Sequence, residues 1–252
     1  MPDRWYALPS DVVRRVLVVM VLGVLGVGLA ACGGDSQTKA DQGEAIAQQA
    51  GLAPDVANFF ALATAGTTAT YRATVETTDS TGKPLQLTTT QRPPDSRFDA
   101  FHADNTVDST ITVNGHSYQC TMAANHWDCG DLGVTPSTSA QVFNPSTVQT
   151  AIDRFRERAA DYDFRVEDRQ LVSVKARCLI TTRKPGHDSD SSLGATATLC
   201  LSPEGAALLV ETPSGSITAT AYSTTIPADA FTLPAPVSPT PTSGASTSTV
   251  PN

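Results

Sequence analysis

The cysteines, histidines and clustered carboxylates are the residues of this chain whose chemistry turns on spacing. Cys120, His126 and Cys129, with His116 close by, supply sulfur and nitrogen donors of the kind that hold zinc. They make three close ligands at best and lack C-x-x-C spacing, so a disulfide is the expected use of the two sulfurs and no metal is expected. His102 and His187 stand in polar stretches and read as solvated surface residues rather than catalytic bases. Asp188-Ser189-Asp190-Ser191 could offer carboxylates to calcium but lacks the glycine and distant glutamate of an EF-hand loop, so it reads as a flexible acidic loop. Asp161, Asp163, Glu167 and Asp168 flank Arg165 and Arg169, a mixed-charge surface rather than an isolated acid–base pair. No G-x-S-x-G elbow, H-E-x-x-H helix or G-x-x-x-x-G-K phosphate loop occurs. The expectation is therefore a protein that is not an enzyme, with no catalytic residue and no cofactor.

Composition narrows the remaining classes. Of 252 residues, 40% are hydrophobic and 6% aromatic, enough for one compact domain. Lys+Arg number 17 against 25 Asp+Glu, a formal charge of -8 with no basic cluster, which argues against nucleic acid.

Cys32 belongs to different chemistry. Arg4, Arg14 and Arg15 precede the apolar run Val16 to Leu29, which is too short for a membrane span, is broken by Gly23, Gly26 and Gly28, and has the form of a signal peptide over residues 1–31. The sequence that follows, Leu29-Ala30-Ala31-Cys32-Gly33, resembles the lipobox of bacterial lipoproteins. That resemblance implies that the Cys32 thiol takes a lipid and becomes the mature N-terminus, holding the protein to the extracytoplasmic face of the cell membrane. One acyl chain binds only marginally, whereas two or more anchor stably. Export leaves four cysteines in an oxidising compartment. Of the three pairings possible, Cys120 with Cys129 and Cys178 with Cys200 are expected: the first closes a short loop, and the second ties neighbouring strands across the loop from Lys184 to Leu193.

The elements that must position these residues follow from periodicity. Residues 32–41 are polar and read as a tether, and 234–252 as a disordered Pro/Ser/Thr-rich tail, leaving a single domain over 42–233. Pro54 followed by Val56, Phe59, Phe60 and Ala63 predicts a helix that Gly66 can stop. From Tyr71 the period becomes two, and Asp79-Ser80-Thr81-Gly82 supplies a hairpin turn to a strand through Leu85, Leu87 and Thr89 that Pro93-Pro94 breaks. Phe98, Ile111, Val113 and Tyr118 mark further strands, with Asn114-Gly115 as a hairpin turn. Ser146 and Gln149 have capping-box spacing ahead of Val148, Ile152, Phe155 and Ala159, which predicts a second helix. Strands Leu171–Thr181, Ala195–Leu201, Ala206–Thr212 and Ile217–Thr225 complete an antiparallel meander. The expected fold class is α+β: a curved antiparallel sheet, or half-barrel, packed on two or three helices.

The order helix, strand pair, Pro-Pro break, hairpins, helix and closing meander through Ile226 to Pro234 is similar to that of the LolA/LprG-like lipoproteins, over most of Pro54 to Pro234. The resemblance implies a half-barrel wrapped over helices, in several members with lipid acyl chains held between. Tyr71, Ala73, Val75, Leu85 and Leu87 would then point to the concave face with Phe59 and Phe60 opposite, and the partner would be an apolar ligand such as an envelope lipid. The alternative is a structural or sensory module, solidly packed, whose surface meets another envelope protein.

Overall fold

The computed structural model describes residues 51–79, 81–134, 153, 156–187 and 194–238. Cys32, the apolar run, the tether, the Asp188–Ser191 loop, nearly all of the helix expected from Ser146 and the tail beyond Ser238 lie outside the described residues. Among the described residues, no helix is long and apolar enough to cross a membrane.

Helix α1, Pro54–Ala65, starts with proline in its first turn, where a missing N–H costs nothing, and carries Asp55 at the positive end of the helix dipole. It stops at Gly66, whose N–H donates to the Leu62 carbonyl. Eleven strands follow: β1 Tyr71–Thr78, β2 Pro84–Arg92, β3 Asp95–His102, β4 Val107–Val113, β5 His116–Ala123, β6 His126–Val134, β7 Tyr162–Leu171, β8 Val174–Arg183, β9 Thr196–Leu201, β10 Ala207–Thr212 and β11 Gly215–Ser223. All pair antiparallel in one sheet of order β6-β5-β4-β3-β2-β1-β11-β10-β9-β8-β7. Two meanders, β1 to β6 and β7 to β11, thus meet along the β1–β11 seam, where a bulge falls between Thr74 and Val75.

This corrects the expected α+β packing on two or three helices. Helix among the described residues is confined to α1 and to residues 153 and 156–158, and the sheet is the body of the molecule. Two strands account for much of the difference. In β7, Tyr162, Phe164 and Val166 alternate with Asp163, Arg165 and Glu167, so a stretch rich in charge is an edge strand, where charge blocks edge-to-edge pairing. In β6, sparse apolar residues still pair along β5 from His126 to Val134.

The two terminal segments cross the seam in opposite directions. Helix α1 leads into β1 yet packs on the other meander: Val56, Phe59, Phe60 and Ala63 bury against Leu179 and Leu201, with Phe164, Val166 and Leu199 at the margin. After β11 the chain returns over the first meander, where Leu233 and Ala235 pack on Ile111 and the Cys120–Cys129 pair. The two lie on opposite faces. The end of α1 is held by Gln91, whose Nε2 donates to the carbonyls of Gly66 and Ala69 at 2.8 and 3.0 Å. Gln91 shares its face with Ser96 and Thr112 by register, whereas Ile111 points the other way.

Where α1 ends it meets the β9–β10 turn with no side chain between. A Cβ on Gly66 would stand 2.6 Å from the Gly205 carbonyl oxygen, and Gly205 itself has φ +84°. Gly82, at φ +83°, has nothing within 4 Å of its Cβ position. Gly82→Ala is therefore expected to cost roughly 1 kcal/mol, the left-handed penalty alone, and Gly205→Ala roughly 2 kcal/mol or more, with backbone contact added. Urea unfolding of both variants checks this, and equal losses would contradict the close approach.

Candidate docking surface

The four described cysteines are joined Cys120 to Cys129 and Cys178 to Cys200, each pair directly opposite across neighbouring strands. With both sulfurs bonded to each other, Cys120 and Cys129 have no thiolate to offer a metal. Among the described residues, no group of three or more His, Cys, Asp or Glu could hold one. His102 ends β3 and contacts Asp108 at 3.0 Å, His187 contacts Asp161 at 2.9 Å, and His116 stacks on Tyr118.

The residues expected around a ligand cavity divide between two places. Val75, Leu85 and Leu87 come together with Ala100 and Phe98, and Tyr71 and Ala73 share their face by register. Phe59 and Phe60 instead belong to the α1 cluster on β8 and β9. Ala73, Leu85, Leu87, Phe59 and Phe60 are all buried, while Tyr71 and Val75 are half-buried. Tyr71 stacks on Tyr222 with ring centroids 6.5 Å apart. The Tyr222 hydroxyl donates to Glu204, and Ser202 donates to Tyr222 at 3.0 Å, which ties β11 to the β9–β10 turn. Burial pushes the Tyr71 hydroxyl up to about 12. Desolvation, then the Glu204 carboxylate, pushes Tyr222 up as well.

On the opposite face of the first meander lies a constellation that sequence reading missed. Arg97 Nε donates to both oxygens of buried Asp99, at 2.8 and 3.0 Å, and Ser109 donates to the same carboxylate. Arg97 also reaches the Ala230 carbonyl at 3.4 Å, and the Arg92 guanidinium sits 5.0 Å above the ring of Phe231. Burying Phe231 contributes about 1.5–3 kcal/mol. The chain then passes over the Cys120–Cys129 disulfide and ends its described course in a parallel bridge between Val237 and Cys129. Residues 234–238, which composition assigns to the tail, are thus seated on the sheet. Beyond that bridge β6 exposes Leu132 and Val134, at 54% and 77%. With Val237 they are three of the four exposed large apolar side chains among the described residues, all on or beside β6. The alternation of Phe231, Leu233, Ala235 and Val237 is the signal that could have revealed the seated segment.

No family model and no curated protein matches the chain. Among solved structures it is similar to a crystal structure of MucB, with 17% identity over 70% of this chain and 62% of that one and a TM-score of 0.43. It is similar also to an uncharacterized conserved protein from Thermus thermophilus, with 12% identity, coverage of 69% and 90%, and a TM-score of 0.38. MucB in complex with MucA(peri) aligns at 12% identity over 76% of this chain and 56% of that chain, with a TM-score of 0.29. The chain spans less than two thirds of either MucB chain.

Two outcomes follow from the polar contacts. Arg97→Met leaves a buried carboxylate without its cation and is expected to cost about 3 kcal/mol, whereas Arg92→Met loses only a cation–π contact worth about 0.5–1 kcal/mol; urea unfolding compares them. The two tyrosines titrate at about pH 10 in the unfolded chain and higher in the folded one. Their contribution to stability is complete below pH 10 and is lost as pH rises from 10 towards 12. Thermal unfolding followed upward from pH 10 should show a fall that Tyr71→Phe makes shallower.

Proposed function

We propose that this protein is a non-catalytic interaction module of the cell envelope, held to the extracytoplasmic face of the membrane by lipidated Cys32, and that it works by docking another envelope protein on the β6 side of its sheet. The observation that carries the reading is the distribution of apolar surface. Five of the seven positions suited to an internal ligand are buried by protein and the other two, Tyr71 and Val75, are half-buried, while three of the four large apolar side chains left exposed among the described residues gather on or beside one edge strand. Exposed apolar surface of that kind marks interaction sites. The two disulfides support an oxidising compartment, and the apolar run ending in Leu29-Ala30-Ala31-Cys32 supports export and anchoring. MucB has been solved in complex with MucA(peri); for this chain a protein partner is proposed from its own surface. The resemblance to LolA/LprG-like lipoproteins supports a second reading, a carrier of an apolar envelope lipid, which the same experiment separates.

Cys32→Ala should abolish fatty-acid labelling and leave an uncleaved or mislocalised precursor; a wild-type chain that takes no label contradicts the anchor. A photo-crosslinking amino acid at position 134 should give one discrete adduct with a protein in intact cells, lost on Leu132→Asp. Native mass spectrometry should show the anchored polypeptide without further lipid. Stoichiometric extra lipid with no adduct would overturn the docking module in favour of the carrier.

A further inference from the structure

The segment that follows β11 has the pattern of a strand although its composition is that of a linker. Phe231, Leu233, Ala235 and Val237 alternate with Thr232, Pro234, Pro236 and Ser238. Burial follows the alternation as far as Pro236: Phe231 is buried and Leu233 and Ala235 half-buried, whereas Thr232, Pro234 and Pro236 are exposed, and Val237 is exposed where it meets the edge strand. Leu233 and Ala235 pack on Ile111 and the Cys120–Cys129 disulfide, on which Trp127 also packs, while Phe231 lies under the Arg92 guanidinium and Val237 bridges to Cys129. Pro234 and Pro236 have no N–H to give, so this stretch is held by side chains until it reaches the open edge of the sheet. There its backbone joins the edge: the Ser238 N–H donates to the Cys129 carbonyl at 2.8 Å, and the Ser238 hydroxyl to Asp128 at 2.7 Å. The edge continues past this point through Gly130 to Val134, with Leu132 and Val134 exposed. Side chains seated at alternate positions, together with main-chain bonds to a strand edge, are the two components by which a sheet recognises an extended peptide.

We propose that the face formed by Ile111, Trp127 and the Cys120–Cys129 disulfide, with the outer edge of β6, is a docking site for an extended, proline-containing segment of a partner protein bearing apolar side chains at alternate positions, and that the chain's own residues 227–238 occupy it as an exchangeable strap. The proposal rests on the interaction-module reading and names the chemistry of the partner. The occupant already on the surface argues for this chemistry. Among the described residues, the strap is joined to a strand at β11, and at Ser238 it is held by two bonds to the Asp128–Cys129 edge, so it can leave the face without disturbing the pairing of any named strand. While attached it competes at a local concentration in roughly the millimolar range. A partner segment binds only the fraction of molecules whose strap is off, which weakens its apparent affinity by that fraction.

The test is titration of full-length protein with a fluorescent synthetic peptide of residues 227–238. Phe231→Ala in the protein should raise its affinity for the wild-type peptide roughly tenfold or more over the wild-type protein, by freeing the face. Ser238→Pro, which removes the N–H bonded to the Cys129 carbonyl at an exposed position, should raise it by less. A peptide with its own phenylalanine replaced by alanine should bind neither variant. Iodide quenching of tryptophan fluorescence, dominated in its change by Trp127, should increase in both variants and return on adding peptide. If Phe231→Ala unfolds the domain, Ser238→Pro carries the comparison. Variants whose quenching rises but which bind no peptide, or whose strap stays seated with affinity unchanged, overturn the proposal. Failure of the peptide with the position-134 adduct retained overturns the strap and leaves the module reading; peptide binding with no adduct in cells does the reverse.

Discussion

The pairing of β1 with β11 is the constraint on which the rest of the molecule depends. Thr74 and Thr220 are 146 residues apart in sequence and in contact across this seam. Without it, β1 to β6 and β7 to β11 would be two meanders, each with an additional open edge. With it, α1 stands at the boundary and can lay Phe59 and Phe60 on β8 and β9, although the strand it leads into belongs to the other half. The chain leaving β11 likewise stands at the boundary and returns over β4 to β6 on the opposite face. The two segments brace the seam from both sides, each reaching into the meander to which it is not sequentially joined.

Within this frame the interactions differ in how replaceable they are. The contact between Gly66 and Gly205 is backbone on backbone and admits no side chain, so it sets the distance between α1 and the β9–β10 turn. Asp99 is buried with a cation and a hydroxyl on it, and removing either partner leaves polar charge without solvent. The strap, by contrast, is held by one buried ring, a few half-buried side chains and a short bonded end. Free energies of local opening are lowest where buried contacts are few. A rigid sheet carrying a weakly held segment beside its exposed apolar edge is the arrangement a docking surface needs.

What could be read in the sequence was local. The turns at 79–82, Asn114-Gly115, Ser202–Gly205 and 213–215 separate strands that pair with their neighbours, and the structure has hairpins at each. The helix stop at Gly66 was legible for the same reason. The seam was not, because no turn chemistry links β1 to β11. The edge strands were hidden by the residues that protect them: β7 carries Asp163, Arg165, Glu167, Asp168 and Arg169, which read as solvated surface, and β6 has glycines at 130 and 133. The Arg97–Asp99–Ser109 cluster was invisible because its residues come from two strands and its further contact, the Ala230 carbonyl, from the returning chain far along the sequence. Proline at 234 and 236 masked the period-two apolar pattern of the strap by giving it the composition of a linker.

Native-state hydrogen exchange tests the central claim, a single braced sheet carrying a separable strap, most directly. Amides paired across the seam, from Arg72–Glu76 to Thr218–Ser223, should be among the slowest and should exchange with those of both meanders, through global unfolding alone. Ser238 and Thr232, whose N–H groups bond to Cys129 and Asp229, should exchange through a local opening that leaves the seam protected. A strap as slow as the seam, or a β7–β11 half that opens independently of β1–β6, would contradict the account.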